Sequence, residues 1–282
     1  MSLKKYVSVQ MIKIILFVSL AVSGLLQAIE LPKHQATPGG IIVQKILAKH
    51  KLEAFHDNRR LMVLESDKPN EYYVIGGIHL NQKVNMPYNI DLKSDQTIKY
   101  HTVTLKDKAY QKQYITLKNK QHVSPNQKNL DRIGSEKKRS LAALGRYSTQ
   151  KFGSLVLIKP LDVPFSDDYG KRRYFNKQPR KPHSGVDLAA PEGTLIKAPL
   201  EGEIVELGNF FFNGNVVYID HGLGMVTMYC HLSKIDVKKG QLVKQGEIIG
   251  KVGKTGRVTG PHLHWGVSLN GNMIDPRLFI YK

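Results

Sequence analysis

From Phe152 to its last residue the chain is a succession of short apolar runs cut by glycine turns, with no helix-length amphipathic segment. Strands are expected at Leu155–Lys159, Thr194–Ala198, Glu203–Leu207, Val216–Asp220, Met225–Tyr229, Ile248–Val252 and His262–Ser268. Connections this short, without intervening helices, predict a mostly β chain with an antiparallel sheet over residues 151–282.

The remainder divides by composition. Residues 1–28 open with Lys4, Lys5 and Lys13 and continue through the apolar run Ile14–Val22 to Ala28. This is the pattern of a signal peptide, and the apolar core is too short for a comfortable membrane span. Export to the periplasm or beyond is expected, with cleavage after Ala28 and no stable membrane anchor afterwards. Cys230 is the one cysteine, far from the cleavage point, so neither a lipid-anchoring cysteine nor an internal disulfide is expected. Apolar runs at Ile41–Val43, Leu61–Leu64, Tyr72–Ile75, Thr97–Leu105 and Tyr114–Leu117 predict a small β-rich accessory domain over residues 29–120. Residues 121–150 predict a polar connecting helix, with Ser124 as its N-cap and Pro125 in its first turn. The formal charge is +19. A basic exported chain points to anionic envelope polymers or membrane surfaces and away from nucleic acid.

Chemistry concentrates in three places. Gly260-Pro-His-Leu-His-Trp-Gly266 sets His262 and His264 two apart in a strand-like run, so both project to one face. His183-Ser-Gly-Val-Asp187 places a histidine and a carboxylate either side of a glycine that permits a bend. Tyr229-Cys-His-Leu232 adds His231. A catalytic zinc takes three ligands from His and Asp/Glu and keeps one position open. His183, Asp187 and His264 make such a set. His231 and His262 would then stand beside it to orient or deprotonate water and to stabilise developing charge.

With Tyr169-Gly-Lys-Arg172, Gly202-Glu-Ile-Val205, Tyr218-Ile-Asp-His-Gly222, Gly246-Glu-Ile-Ile-Gly250 and Gly253-Lys-Thr-Gly256 added to those three motifs, residues 168–279 resemble the lysostaphin/LytM-type zinc metallopeptidases. The resemblance implies Zn2+ on His183, Asp187 and His264, with His231 and His262 as the catalytic pair. It implies the LytM-type (duplicated-hybrid-motif) sheet with a groove above it and the Gly208–Asn215 segment as one wall. It also implies hydrolysis of peptidoglycan stem-peptide cross-links, with D-Ala–diaminopimelate the expected bond. Phe210, Phe211 and Phe212 are candidates to pack against substrate, and Arg172 and Arg173 to meet its carboxylates. His221 is expected to be structural. Two further expectations are that residues 40–120 restrain access to the groove and that a regulatory protein is a partner. The competing class is a zinc-retaining peptidoglycan-binding protein that activates other murein hydrolases.

Overall fold

The computed structural model describes residues 30–95, 97–117, 119–149 and 155–280. The segment expected to direct export, residues 1–28, lies outside the described residues.

The first half forms eight strands: β1 (Ile41–Leu47), β2 (Leu52–His56), β3 (Arg59–Arg60), β4 (Met62–Glu65), β5 (Glu71–Gly77), β6 (Tyr88–Ser94), β7 (Thr97–Val103) and β8 (Lys112–Ile115). One sheet has the order β1-β5-β4 and a second the order β3-β2-β6-β7. Adjacent apolar residues in β1 and β5 explain how they stack. Side chains alternate faces, so Ile42 and Val74 enter a core with Leu52, Ala54, Tyr88 and Ile90. Ile41 and Ile75 enter the main core with Val186, Trp265 and Ile274. Both faces of the β1-β5-β4 sheet are therefore buried, and the accessory strands are packed directly onto the second half. Asn272 seals the junction by donating from Nδ2 to the Gly77 carbonyl at 2.8 Å in a buried setting.

A single α-helix appears among the described residues, α1 (Gln127–Leu144). Its N-cap is Asn126, whose side chain accepts from the Asn129 N–H at 3.0 Å. Ser124 and Pro125 therefore lie before the helix, correcting the sequence expectation by two residues. The helix does more than connect. Arg139 pairs with Glu206 at 2.7 Å, Ser140 meets the Tyr218 hydroxyl at 2.8 Å, and Ala143 is buried. Lys137 and Lys138 face solvent.

The second half supplies β9 (Arg172–Phe175), β10 (Gln178–Pro179), β11 (Val186–Leu188), β12 (Leu195–Lys197), β13 (Gly202–Phe210), β14 (Gly214–Gly222), β15 (Met225–Leu232), β16 (Lys234–Ile235), β17 (Leu242–Val243), β18 (Ile248–Lys251), β19 (Leu263–Leu269) and β20 (Asn272–Ile274). The main sheet is antiparallel, in the order β11-β19-β15-β14-β13-β17, with β20 on β19. Leu263, Trp265 and Val267 of β19 point into the main core, and α1 covers part of the opposite face through Tyr218, Val226 and Met228. β8 pairs in parallel with β9, tying the two halves again. The strand expected at Leu155–Lys159 is absent. Leu155 and Leu157 are buried in the main core, but the backbone there bonds singly to Phe279 and Pro199 and forms no ladder.

His221 lies in the core side of β14, fully buried, with its ring nitrogens 2.7 Å from the Glu201 carbonyl and 2.7 Å from Thr227 Oγ1. Burial pushes its pKa down to about 4. The unfolded chain, with an ordinary histidine pKa near 6.5, binds a proton there that the folded chain refuses between about pH 6.5 and pH 4. Stability is expected to fall by about 3 kcal/mol across that window as pH drops. His221→Gln, which does not titrate in the window, should flatten the melting temperature against pH. An unchanged slope would remove His221 as the cause.

Candidate metal centre

The sheet register builds the centre. Asp187 of β11 lies directly opposite His264 of β19 in their antiparallel pairing, so both project from the same face. This is also the face on which α1 sits, further along β15 and β19. His183 precedes β11 and reaches the same point because the chain folds tightly at Gly185. A Cβ on Gly185 would come within 2.5 Å of the Trp265 carbonyl and 2.8 Å of the His264 ring, so no larger residue fits without moving the site.

Three atoms converge. His183 Nε2 is 3.0 Å from Asp187 Oδ1 and 2.9 Å from His264 Nδ1, and His264 Nδ1 is 2.9 Å from Asp187 Oδ1. All three residues are buried. His183 Nδ1 is 2.9 Å from the Asp168 carbonyl, which can only accept, so the proton of a neutral His183 sits there and Nε2 offers a lone pair. Burial alone would raise Asp187, but the hydrogen bonds and charge of His183 and His264 outweigh it and hold the carboxyl well below its usual range. Burial pushes His264 down to about 4, against the pull of Asp187. Three electron-pair donors thus face one another with too few protons between them. A divalent cation satisfies that arrangement, and two imidazoles with one carboxylate are a donor set suited to it.

His231 and His262 flank the cluster. The ring centroids of His231 and His262 are 4.9 Å apart, and His231 lies 6.2 Å from His264. His262 Nε2 is 4.0 Å from Asp187 Oδ1. His262 Nδ1 lies 2.9 Å from the Gly260 carbonyl, and His231 Nδ1 lies 2.9 Å from the Thr255 carbonyl. Each neutral ring therefore keeps its proton on Nδ1 and leaves Nε2 as a free base. Burial, reinforced by His264 and His262, pushes His231 down to about 3, so it is uncharged near neutrality. His231 also has φ +70°, a left-handed conformation unusual for a side chain with a Cβ. The β14–β15 register shifts between Asn215 and Val217, and the His231 N–H turns to the Asn213 carbonyl at 2.8 Å. The strained residue forms a bulge one position before the end of β15 and re-aims the imidazole, a cost of about 1–3 kcal/mol that recurs at functional sites.

The sequence motifs did not reveal the support around the cluster. Arg173 Nη2 reaches Asp187 Oδ2 at 3.2 Å and Asp167 Oδ2 at 3.0 Å, and Gln113 of β8 donates to the same Asp167 oxygen at 2.9 Å. Arg173, expected to meet substrate carboxylates, is thus engaged by two carboxylates of its own chain. Arg172 turns away to Asn81. Of the three phenylalanines, Phe210 is buried beneath Arg139 of α1, so it cannot line a groove. Phe211 packs edge-on to His122, and Phe212 lies under Arg257.

The sequence model of Peptidase family M23 matches residues 181–276, a span that holds all five of these residues. The fold is close to that of a solved structure of a candidate peptidase M23 from Pseudomonas aeruginosa. The two are 35% identical, with a TM-score of 0.72, over 88% of this chain and 96% of that one. The chain belongs to peptidase family M23. Among curated relatives, it is 48% identical over 94 residues to the peptidoglycan DD-endopeptidase ShyA of Vibrio cholerae, covering 33% of this chain and 22% of that protein. It is 41% identical over 133 residues to the DD-carboxypeptidase/endopeptidase Mpg of Neisseria meningitidis, covering 47% of this chain and 30% of that protein. The chain spans less than a third of the length of either relative.

Proposed function

We propose that this M23 member is an exported zinc metallo-endopeptidase that hydrolyses peptide cross-links of bacterial peptidoglycan, with D-Ala–diaminopimelate as the scissile bond. One observation carries the reading: three buried donors, His183, Asp187 and His264, converge beside the imidazoles of His231 and His262, whose Nδ1 atoms are each held by a backbone carbonyl. The names of the Vibrio and Neisseria relatives support the substrate class. The lysine-led apolar run before Ala28 supports export.

His183, Asp187 and His264 would hold the zinc through Nε2, Oδ1 and Nδ1. When bound there, zinc supplies Lewis acidity, polarising a carbonyl and acidifying water towards a pKa of about 7. His231, free at Nε2 and uncharged, accepts the proton of the attacking water. The imidazolium so formed then hydrogen-bonds to the negative charge growing on the carbonyl oxygen or returns the proton to the leaving amine. His262 faces the same centre and shares that work. Arg173 holds Asp187 in place by bonding its second oxygen.

Digestion of defined muropeptide dimers, with products identified by mass, tests the reading. Cleavage is expected between D-Ala and diaminopimelate, to stop with a chelator and to return with zinc. Stoichiometric zinc without release of monomers would replace it with the binding-protein or activator reading. The exported chain should begin at Ile29, which the mass of the mature protein checks.

A further inference from the structure

We propose that Arg257 and Arg180 form a receptor for a carboxylate of the peptide substrate at the edge of the histidine cluster. This rests on the hydrolase reading above and names the group that the site selects.

The Arg257 guanidinium lies between two aromatic rings, 4.1 Å from the centroid of Phe212 and 4.6 Å from that of Phe175. Phe175 is in β9, two residues beyond Arg173, which touches Asp187. Phe212 precedes Asn213, whose carbonyl accepts from the His231 N–H. The loop of Arg257 also contains Thr255, whose carbonyl holds the His231 ring. Arg257 therefore spans from β9 to the β13–β14 turn, within two residues of direct contacts to the cluster on every side.

Arg180 stands beside it. Its backbone N–H bonds to the Arg173 carbonyl at 2.9 Å. Its Nη2 donates to the Val123 carbonyl at 2.7 Å, and Arg257 Nη1 donates to the preceding carbonyl, His122, at 3.4 Å. The two guanidinium groups thus hang on consecutive carbonyls, and the charge of Arg180 bears on Arg257. Arg180 otherwise bonds to Gln178 Oε1 and the Pro179 carbonyl. Among the described residues neither arginine has a carboxylate partner. The nearby acids, Asp167 and Asp187, are taken by Arg173, Lys171 and the histidines.

Burial pulls Arg257 down to about 10, and the charges of Arg173 and Arg180 add to the effect. A half-buried cation among like charges, satisfied by one long bond to a carbonyl, is a costly arrangement that an anion relieves. Guanidinium forks match carboxylate geometry with paired, charge-assisted hydrogen bonds. Aromatic faces on both sides of Arg257 fix its plane and exclude water, which strengthens those bonds. The ligand class is a peptide bearing a free carboxylate close to the scissile bond. In the free protein, the carbonyls of His122 and Val123 hold the places that the carboxylate would take.

The test compares a cross-linked stem-peptide dimer carrying free carboxylates with the same dimer converted to carboxamides. Calorimetry in the zinc-loaded His231→Asn background, where turnover is slowed, reads binding. The free-acid dimer is expected to bind about 10–100-fold tighter than the amide. Arg257→Lys, which keeps charge and stem but loses the fork, and Arg180→Gln, on a hairpin outside the core, should each reduce that ratio to a few-fold. Equal binding of the two dimers, binding of neither, or a ratio unmoved by both variants would overturn the receptor. Hydrolysis by the parent chain is scored separately. Cleavage without carboxylate preference removes the receptor and leaves the hydrolase, whereas preferential binding without cleavage does the reverse.

Discussion

The His264→Ala chain is expected to remain folded and to lose its metal and its peptide hydrolysis together. The donor triangle explains the coupling. With His264 Nδ1 gone, His183 Nε2 and Asp187 Oδ1 remain 3.0 Å apart as a two-atom site. Disturbing groups that merely support a ligand commonly costs 10–100-fold in affinity, and losing one of three ligands costs more. Activity should fall by at least about 10³-fold, because the Lewis acid leaves with the ligand. The fold should survive, since the neighbours that anchor β19 are Leu263, Trp265 and Val267, on the opposite face in the main core. Melting curves with and without zinc separate the possibilities. A cation that binds only the folded chain stabilises it by mass action, by about 2.7 kcal/mol at 100 times its Kd, and so raises its melting temperature. That rise should be present in the parent chain and missing from the variant. Full zinc stoichiometry with retained hydrolysis would show that the three residues are not the ligand set.

The site was legible in the sequence to the extent that its spacing is local. His262 and His264 lie two apart at the start of β19, His262 one residue before it, and His183 and Asp187 lie either side of one glycine, so each pair is fixed by short-range geometry. Their meeting depends on the register of β11 against β19, which no local pattern encodes. Long-range electrostatics was invisible for the same reason. Nothing in Tyr169-Gly-Lys-Arg172 or its neighbour Arg173 announces a guanidinium on Asp187. In the fold, β6 was missed although Tyr88, Ile90 and Leu92 alternate as buried residues with polar neighbours. Leu155–Lys159 departs in the opposite sense: an apolar run reports burial, and burial without a paired neighbour is not a strand. The doubled apolar pairs Ile41-Ile42 and Val74-Ile75 carried an unused signal, because two adjacent core residues on a strand require cover on both faces. The accessory strands meet that requirement by packing against the second half.

Replacing His231 by Asn should separate metal binding from catalysis. Asn is among the residues that best tolerate the left-handed region, so it accepts the φ of +70° found at His231 and keeps the turn to Asn213. No ligand atom of His183, Asp187 or His264 belongs to His231, so zinc should bind at full stoichiometry and still raise the melting temperature. Asn has no basic nitrogen to take a proton, and kcat should drop by about 10²–10⁴-fold, the usual worth of a positioned general base. His262→Ala should behave alike, with its Gly260 hydrogen bond lost and the metal retained. If the two imidazoles act on one proton as a unit, the double variant will be little slower than the slower single one. If each has an independent task, the losses will multiply. A zinc-loaded His231→Asn chain working within a few-fold of its parent would mean that the strained imidazole, held by Thr255 at the end of β15, has no part in the chemistry.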